Sequence, residues 1–182
     1  MKELSTVKRL CLCAMCIALC CVLPTAFHAL SLGRLLSPMH IPVLLCGLLC
    51  GPWCGAFCGV AGPVLSSLLT GMPSATALIS MVPELLTYGL VCGLLMKLVR
   101  TRHTALDLYL SMVPAMLLGR VVGGVADALF YLGSGESYTL AMFAGSYFIG
   151  ALPGIGIQLI LIPLLVLALE KTHAIPARYP QA

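Results

Sequence analysis

Charge is what this sequence has least of. Only 9% of its 182 residues are Asp, Glu, Lys or Arg, while 60% are hydrophobic and the mean hydropathy is +1.08. No soluble domain of this size hides so much apolar surface, so the scarcity of charge excludes a soluble fold and points to a polytopic membrane protein. Catalytic and nucleotide motifs are missing too. Without a phosphate-binding loop the chain cannot itself harness ATP. There is no Gly-x-Ser-x-Gly, no His-Glu-x-x-His and no pair of catalytic aspartates, and Ser66, Ser67 and the scattered histidines form no triad. An enzyme is therefore not expected, and nothing calls for a cofactor. The net charge of +4 does not imply nucleic acid, because the basic residues stand at the ends of apolar segments, where they orient a membrane protein.

What is present is a series of apolar runs divided by Gly, Pro and charge. Six spans are expected: Thr6–Leu23, ended by Pro24; a short Ile41–Cys50; Trp53–Leu69; Thr76–Val99; Leu106–Leu132; and Leu140–Leu169. The first resembles a signal peptide, but with so many apolar runs after it we read it as a retained helix. Segments two and three could instead form one broken helix, giving five spans. Charge decides for six. With the N-terminus inside, Lys2, Lys8, Arg9, Lys97, Arg100, Arg102, Lys171 and Arg178 all lie inside, and the outer loops hold only Arg34. The expected fold is an all-α bundle of six transmembrane helices, one integral membrane domain over residues 1–182, with both termini cytoplasmic. A long outer loop, "PTAFHALSLGRLLSPMH", carries His28, Arg34 and His40. It reads either as a plain interfacial connector or as a lid folded back on the bundle.

Cysteine is abundant, with ten residues, four of them in a Cys-Gly pair recurring every four positions from Cys46 to Cys58. That spacing lacks the knuckles of zinc sites, and Pro52 breaks the face midway. We therefore expect no metal and no disulfide framework. The cysteines are small packing residues, and the glycine row lets helices approach closely. Ala14 and Ala18 form a second small-xxx-small stripe, a weak signal for helix contact.

The polar residues inside the spans are few: Glu84, Arg120, Asp127 and Gln158. An intramembrane charge is costly and by default marks a site or pathway, although a structural ion pair is the competing reading. Glu84 and Tyr88 share one face of span four, four residues apart. Arg120, Asp127 and Tyr131 share a stripe on span five, with Gly119, Gly123 and Gly124 leaving room beside it. Counting from the outer boundary puts Asp127 ~8 Å deep, Glu84 ~12 Å and Arg120 ~18 Å. The ~6 Å offset is within an arginine's reach, so a Glu84–Arg120 pair is expected.

The stretch "MHIPVLLCGLLCGPWCGAFCGVAGPVLSSLLTGMPSATALISMVPELLTYGLVCGLL" resembles the substrate-binding S components of energy-coupling factor (ECF) transporters, which take up vitamins and related micronutrients. "GRVVGG" and "ALPGIGIQLILIPLLV" are similar to the same family, and the resemblance runs over about Leu10–Lys171. It implies a six-helix bundle in a bacterial plasma membrane, without its own ATPase, working with a transmembrane coupling subunit and two ATPase subunits. It implies that Ala14 and Ala18 dock on the coupling subunit. It also implies an outer pocket for a vitamin-like molecule, built by helices four to six and capped by the first long loop. Glu84, Tyr88, Arg120, Asp127, Tyr131, His40 and Arg34 fall there. The chain lacks the His-rich N-terminus of nickel and cobalt uptake members, which speaks against a metal substrate. A stand-alone small-solute channel or secondary carrier is the alternative, and such carriers often show internal repeats that this chain lacks.

Overall fold

A computed structural model describes residues 5–29, 38–135, 137–172, 175, 178 and 179, with the side chains of 28 and 29 outside that description. Among the described residues the fold is all helix. The elements are α1 (Thr6–Ala29), α2 (His40–Cys50), α3 (Pro52–Thr70), α4 (Ala75–Leu98), α5 (Thr104–Gly133), α6 (Leu140–Ala144), a π-helical turn (Gly145–Ile149) and α7 (Leu152–Lys171). Five stretches are long and apolar enough to cross a membrane, and α6, the π turn and α7 together make one of them. With 11 residues, α2 rises only ~16 Å, about half a bilayer core. It is apolar nearly all round and packs against α1, α3, α4 and α7.

Helices α2 and α3 form a hairpin rather than one broken helix. Gly51, at φ 95°, turns the chain. A β-carbon on Gly55 would lie 2.6 Å from the Cα of Gly47. In a continuous helix those residues would stand ~12 Å apart. The same Gly55 would meet the carbonyl of Gly89 at 2.5 Å, so α3 and α4 touch backbone to backbone. The glycine row is thus the seam on which α4, the central helix, is built. Cys20, Cys46 and Cys58 fill the gap beside it, fully buried.

Two spans differ from their expected limits. The first does not stop at Pro24: α1 continues to Ala29, and the Thr25 hydroxyl donates to the Val22 carbonyl at 2.7 Å beside the proline. Where water is scarce, keeping the backbone helical costs less than exposing it, so a proline is absorbed. Pro63, Pro83, Pro114 and Pro163 likewise sit within helices. The last span, by contrast, is broken. The Gly150 N–H reaches back five residues to the Gly145 carbonyl at 2.8 Å, and Pro153 opens α7. Two glycines and a proline here stop a regular helix from running through.

One end of the bundle gathers the start of α1 together with Arg178 and Tyr179. The Cys50 thiol lies 3.6 Å from the Arg9 carbonyl, and Gly51 lies beside Lys97. There Asp107 is fully buried, 2.5 Å from Arg178 Nε. Tyr179 donates to the same carboxylate at 2.6 Å, and the Thr101 N–H and hydroxyl donate to its other oxygen at 2.8 and 2.7 Å. Arg178 also donates to the Met96 and Val99 carbonyls at the open end of α4. Removing one partner of a buried pair strands the other, at a cost of about 3 kcal/mol. Arg178→Ala should therefore lower the melting temperature by roughly 6–12 °C. A melting curve within about 1 °C of the parent would show that this contact carries no stability.

Candidate functional site

The polar cluster forms where α4 meets the start of α2 and the far half of α5. Glu84 is buried at 7% exposure, and its Oε1 accepts a hydrogen bond from the Tyr88 hydroxyl at 3.0 Å. His40 Nε2 lies 3.4 Å from the same oxygen, and the His40 ring meets the edge of Tyr88 at 5.2 Å. Their positions follow from the fold: α2 and α4 run parallel through the glycine seam, so the first residue of α2 comes level with Glu84 and Tyr88. Gly119 and Gly123 bring α5 close. A β-carbon at Gly119 would collide with the Tyr88 ring, and one at Gly123 would stand 3.3 Å from Glu84 Oε2.

The expected Glu84–Arg120 pair does not form. His40 takes that place, and Arg120 reaches the π turn instead, where its Nη1 donates to the Tyr147 carbonyl. The break before α7 brings that carbonyl within reach of Arg120, which no count of helical turns reveals. Arg120 is 3% exposed, and its Nε and Nη2 are buried without a partner. Asp127, half-buried, accepts a hydrogen bond from the Tyr147 hydroxyl at 2.7 Å. Tyr131 sits beyond it, its ring 5.4 Å from that of Tyr138. Burial, with Asp127 and Tyr131 adding to it, raises the Tyr138 hydroxyl above its ordinary pKa, and that hydroxyl has no hydrogen-bond partner.

Of the candidate residues, Glu84, Tyr88 and His40 are thus brought into direct contact. Arg120 and Asp127 are joined to each other through Tyr147. Arg34 lies outside the described residues, as does the side chain of His28. Gln158 is fully buried on α7 with neither amide atom bonded. Sequence reasoning did not single out Tyr147 or Tyr138. The visible signal for Tyr147 is its place between Gly145 and Gly150, on a segment that cannot stay regularly helical.

The partner stripe has a clear geometry. Cys13, Cys16 and Cys20 point from α1 into the bundle, while Ala14 and Ala18 are exposed on the opposite face, beside Met15 and Leu19. The stripe is not internal packing.

An apolar helical bundle with five stretches able to cross a membrane and a buried polar cluster is that of a multi-pass membrane protein. A model of the family "ECF transporter, substrate-specific component" matches residues 8–169, and the chain belongs to that family. It is a transporter subunit rather than an enzyme, of the kind that associates with a coupling subunit and ATPases. Neither the comparison with curated proteins nor that with solved structures gives a match.

Proposed function

We propose that the chain captures a vitamin or related micronutrient outside a bacterial plasma membrane and delivers it for ATP-driven uptake. It does so as the specificity subunit of an ECF transporter, not as a stand-alone channel or carrier. The observation that carries this reading is the buried, incompletely bonded polar set in a chain of this family. Glu84, Tyr88, His40, Arg120, Asp127 and Tyr131 are the residues of the ligand site, with Arg34 contributed by the segment that precedes α2 in the sequence. Such sites are mostly apolar with a few placed polar groups, and this set is of that kind. Ala14 and Ala18 present the flat face on which the coupling subunit packs.

The chain crosses the membrane six times in this reading, with α2 counted as a short crossing. Arg9 and Arg178 lie at the same end of the bundle as Lys97, and in this reading the basic residues there, with Arg100, Arg102 and Lys171, make that end cytoplasmic. A reporter fused after Ala182 should score inside. An outside score would invert the bundle and put the polar cluster on the wrong side for uptake. The function itself is tested by expressing the chain with an ECF module and measuring ATP-dependent accumulation in vesicles. A bound small molecule should be identified by mass spectrometry of the purified subunit. Accumulation that persists without the module would favour the carrier alternative.

A further inference from the structure

Arg120 presents one complete edge of its guanidinium with nothing bonded to it. Nη1 is held by the Tyr147 carbonyl, while Nε and Nη2 are buried and unpartnered. Nη2 is the nitrogen that lies trans to Cδ, so the Nε–H and an Nη2–H project in parallel from the same side. Two parallel donors at this spacing fit the two oxygens of one planar carboxylate. Buried polar groups in folded proteins are nearly always bonded, and a cation inside a bilayer is costly unless paired.

No carboxylate of the described chain supplies the partner. Glu84 is engaged by Tyr88 and His40, and Asp127 accepts from Tyr147. Asp107 is held by Arg178 at the opposite end. Among the described residues, then, Arg120 has no ion pair. The apolar stem of Arg120 forms part of the wall of an apolar crevice of about 80 Å³ between α5 and the break before α7, whose other walls include Met116, Phe148, Ile155 and Leu159, and its guanidinium lies buried behind that wall. On the same turn of α7, Gln158 keeps one donor and one acceptor group unbonded.

We infer that the transported ligand carries a carboxylate, bound side-on by Arg120 Nε and Nη2, next to an apolar portion lodged in the α5–α7 crevice. This rests on the reading of the chain as a ligand-binding subunit. A phosphate monoester offers similar oxygens, but it brings a charge of about −2 at neutral pH against one arginine. With Glu84 and Asp127 nearby, the second charge would go uncompensated. A monoanion matches the single charge of Arg120 itself.

The test uses the full chain in detergent and three aliquots of one bacterial small-molecule extract. One is untreated, one has its carboxyl groups amidated with methylamine and a carbodiimide, and one is treated with phosphatase. After washing, released compounds are identified by mass spectrometry. The untreated and phosphatase aliquots should yield the same carboxylate-bearing compound, and the amidated aliquot should yield none. Arg120→Gln should weaken its retention on the order of a hundredfold, and Arg120→Lys, which keeps the charge but not the edge, by less. The amidation arm needs no variant and decides the matter even where Arg120→Gln fails to fold. A retained compound that lacks a carboxyl group, survives amidation or requires its phosphate would overturn the assignment. A folded protein that retains nothing from any aliquot would overturn the ligand-binding reading beneath it.

Discussion

Replacing Ala14 and Ala18 together with tryptophan should abolish transport and complex assembly while leaving ligand binding by the isolated chain intact. The two alanines are exposed on α1, and the buried side of that helix is already taken by Cys13, Cys16 and Cys20. Their substitution therefore adds bulk outside the bundle, where it disturbs no internal contact. In a membrane there is little hydrophobic drive between helices, and association depends on close packing of small side chains. Two indole rings would hold a partner helix several ångströms away and remove that packing. The expected loss is more than tenfold in uptake, with no recoverable complex on co-purification. The separation of the two readouts is what matters. If the double variant still assembles and transports, the stripe faces lipid and the coupling subunit docks elsewhere. If it loses ligand binding as well, α1 has a role inside the bundle that its exposure does not suggest.

The helices were legible because Gly, Pro and charge punctuate the apolar runs, and most limits fall within two residues of those marks. The relative heights of Glu84 and α5 were also legible, since helical rise converts residue count into height, and Glu84 stands level with Gly119 and Gly123. Height is not direction, however. Glu84 and Arg120 lie about a turn apart as counted, yet Arg120 faces Tyr147 because the final span breaks at Gly145 and Gly150. His40, read as part of a loop, turns out to open α2 and to pair with Glu84, because the Gly47, Gly55 and Gly89 contacts pull α2 against α4. The Asp107–Arg178 contact was invisible for a different reason. It joins residues 71 apart, and only the return of the chain end to the start of α5 brings them together. Local pattern predicts elements well, whereas contacts made by a chain end or a helix break depend on the whole packing.

Glu84→Gln and Asp127→Asn should each weaken ligand binding on the order of a hundredfold while the protein stays folded. Glu84 Oε1 takes the Tyr88 hydroxyl and faces His40, and Oε2 is directed toward the gap made by Gly123. Asp127 holds the hydroxyl of Tyr147, whose carbonyl in turn fixes Arg120. The two acids therefore set both ends of one polar arrangement around Arg120. Losing a charged partner in a site shielded from water costs a few kcal/mol, and ~2.7 kcal/mol is a hundredfold in affinity. A purely structural role predicts something else. Glu84→Gln would then lower the melting temperature, because His40 and Tyr88 lose a charged acceptor, but affinity in the folded fraction would hold. One titration beside one melting curve for each variant separates these outcomes. Both variants binding as tightly as the parent, with unchanged melting, would remove the two carboxylates from the site and leave Arg120 as its only charged candidate among the described residues.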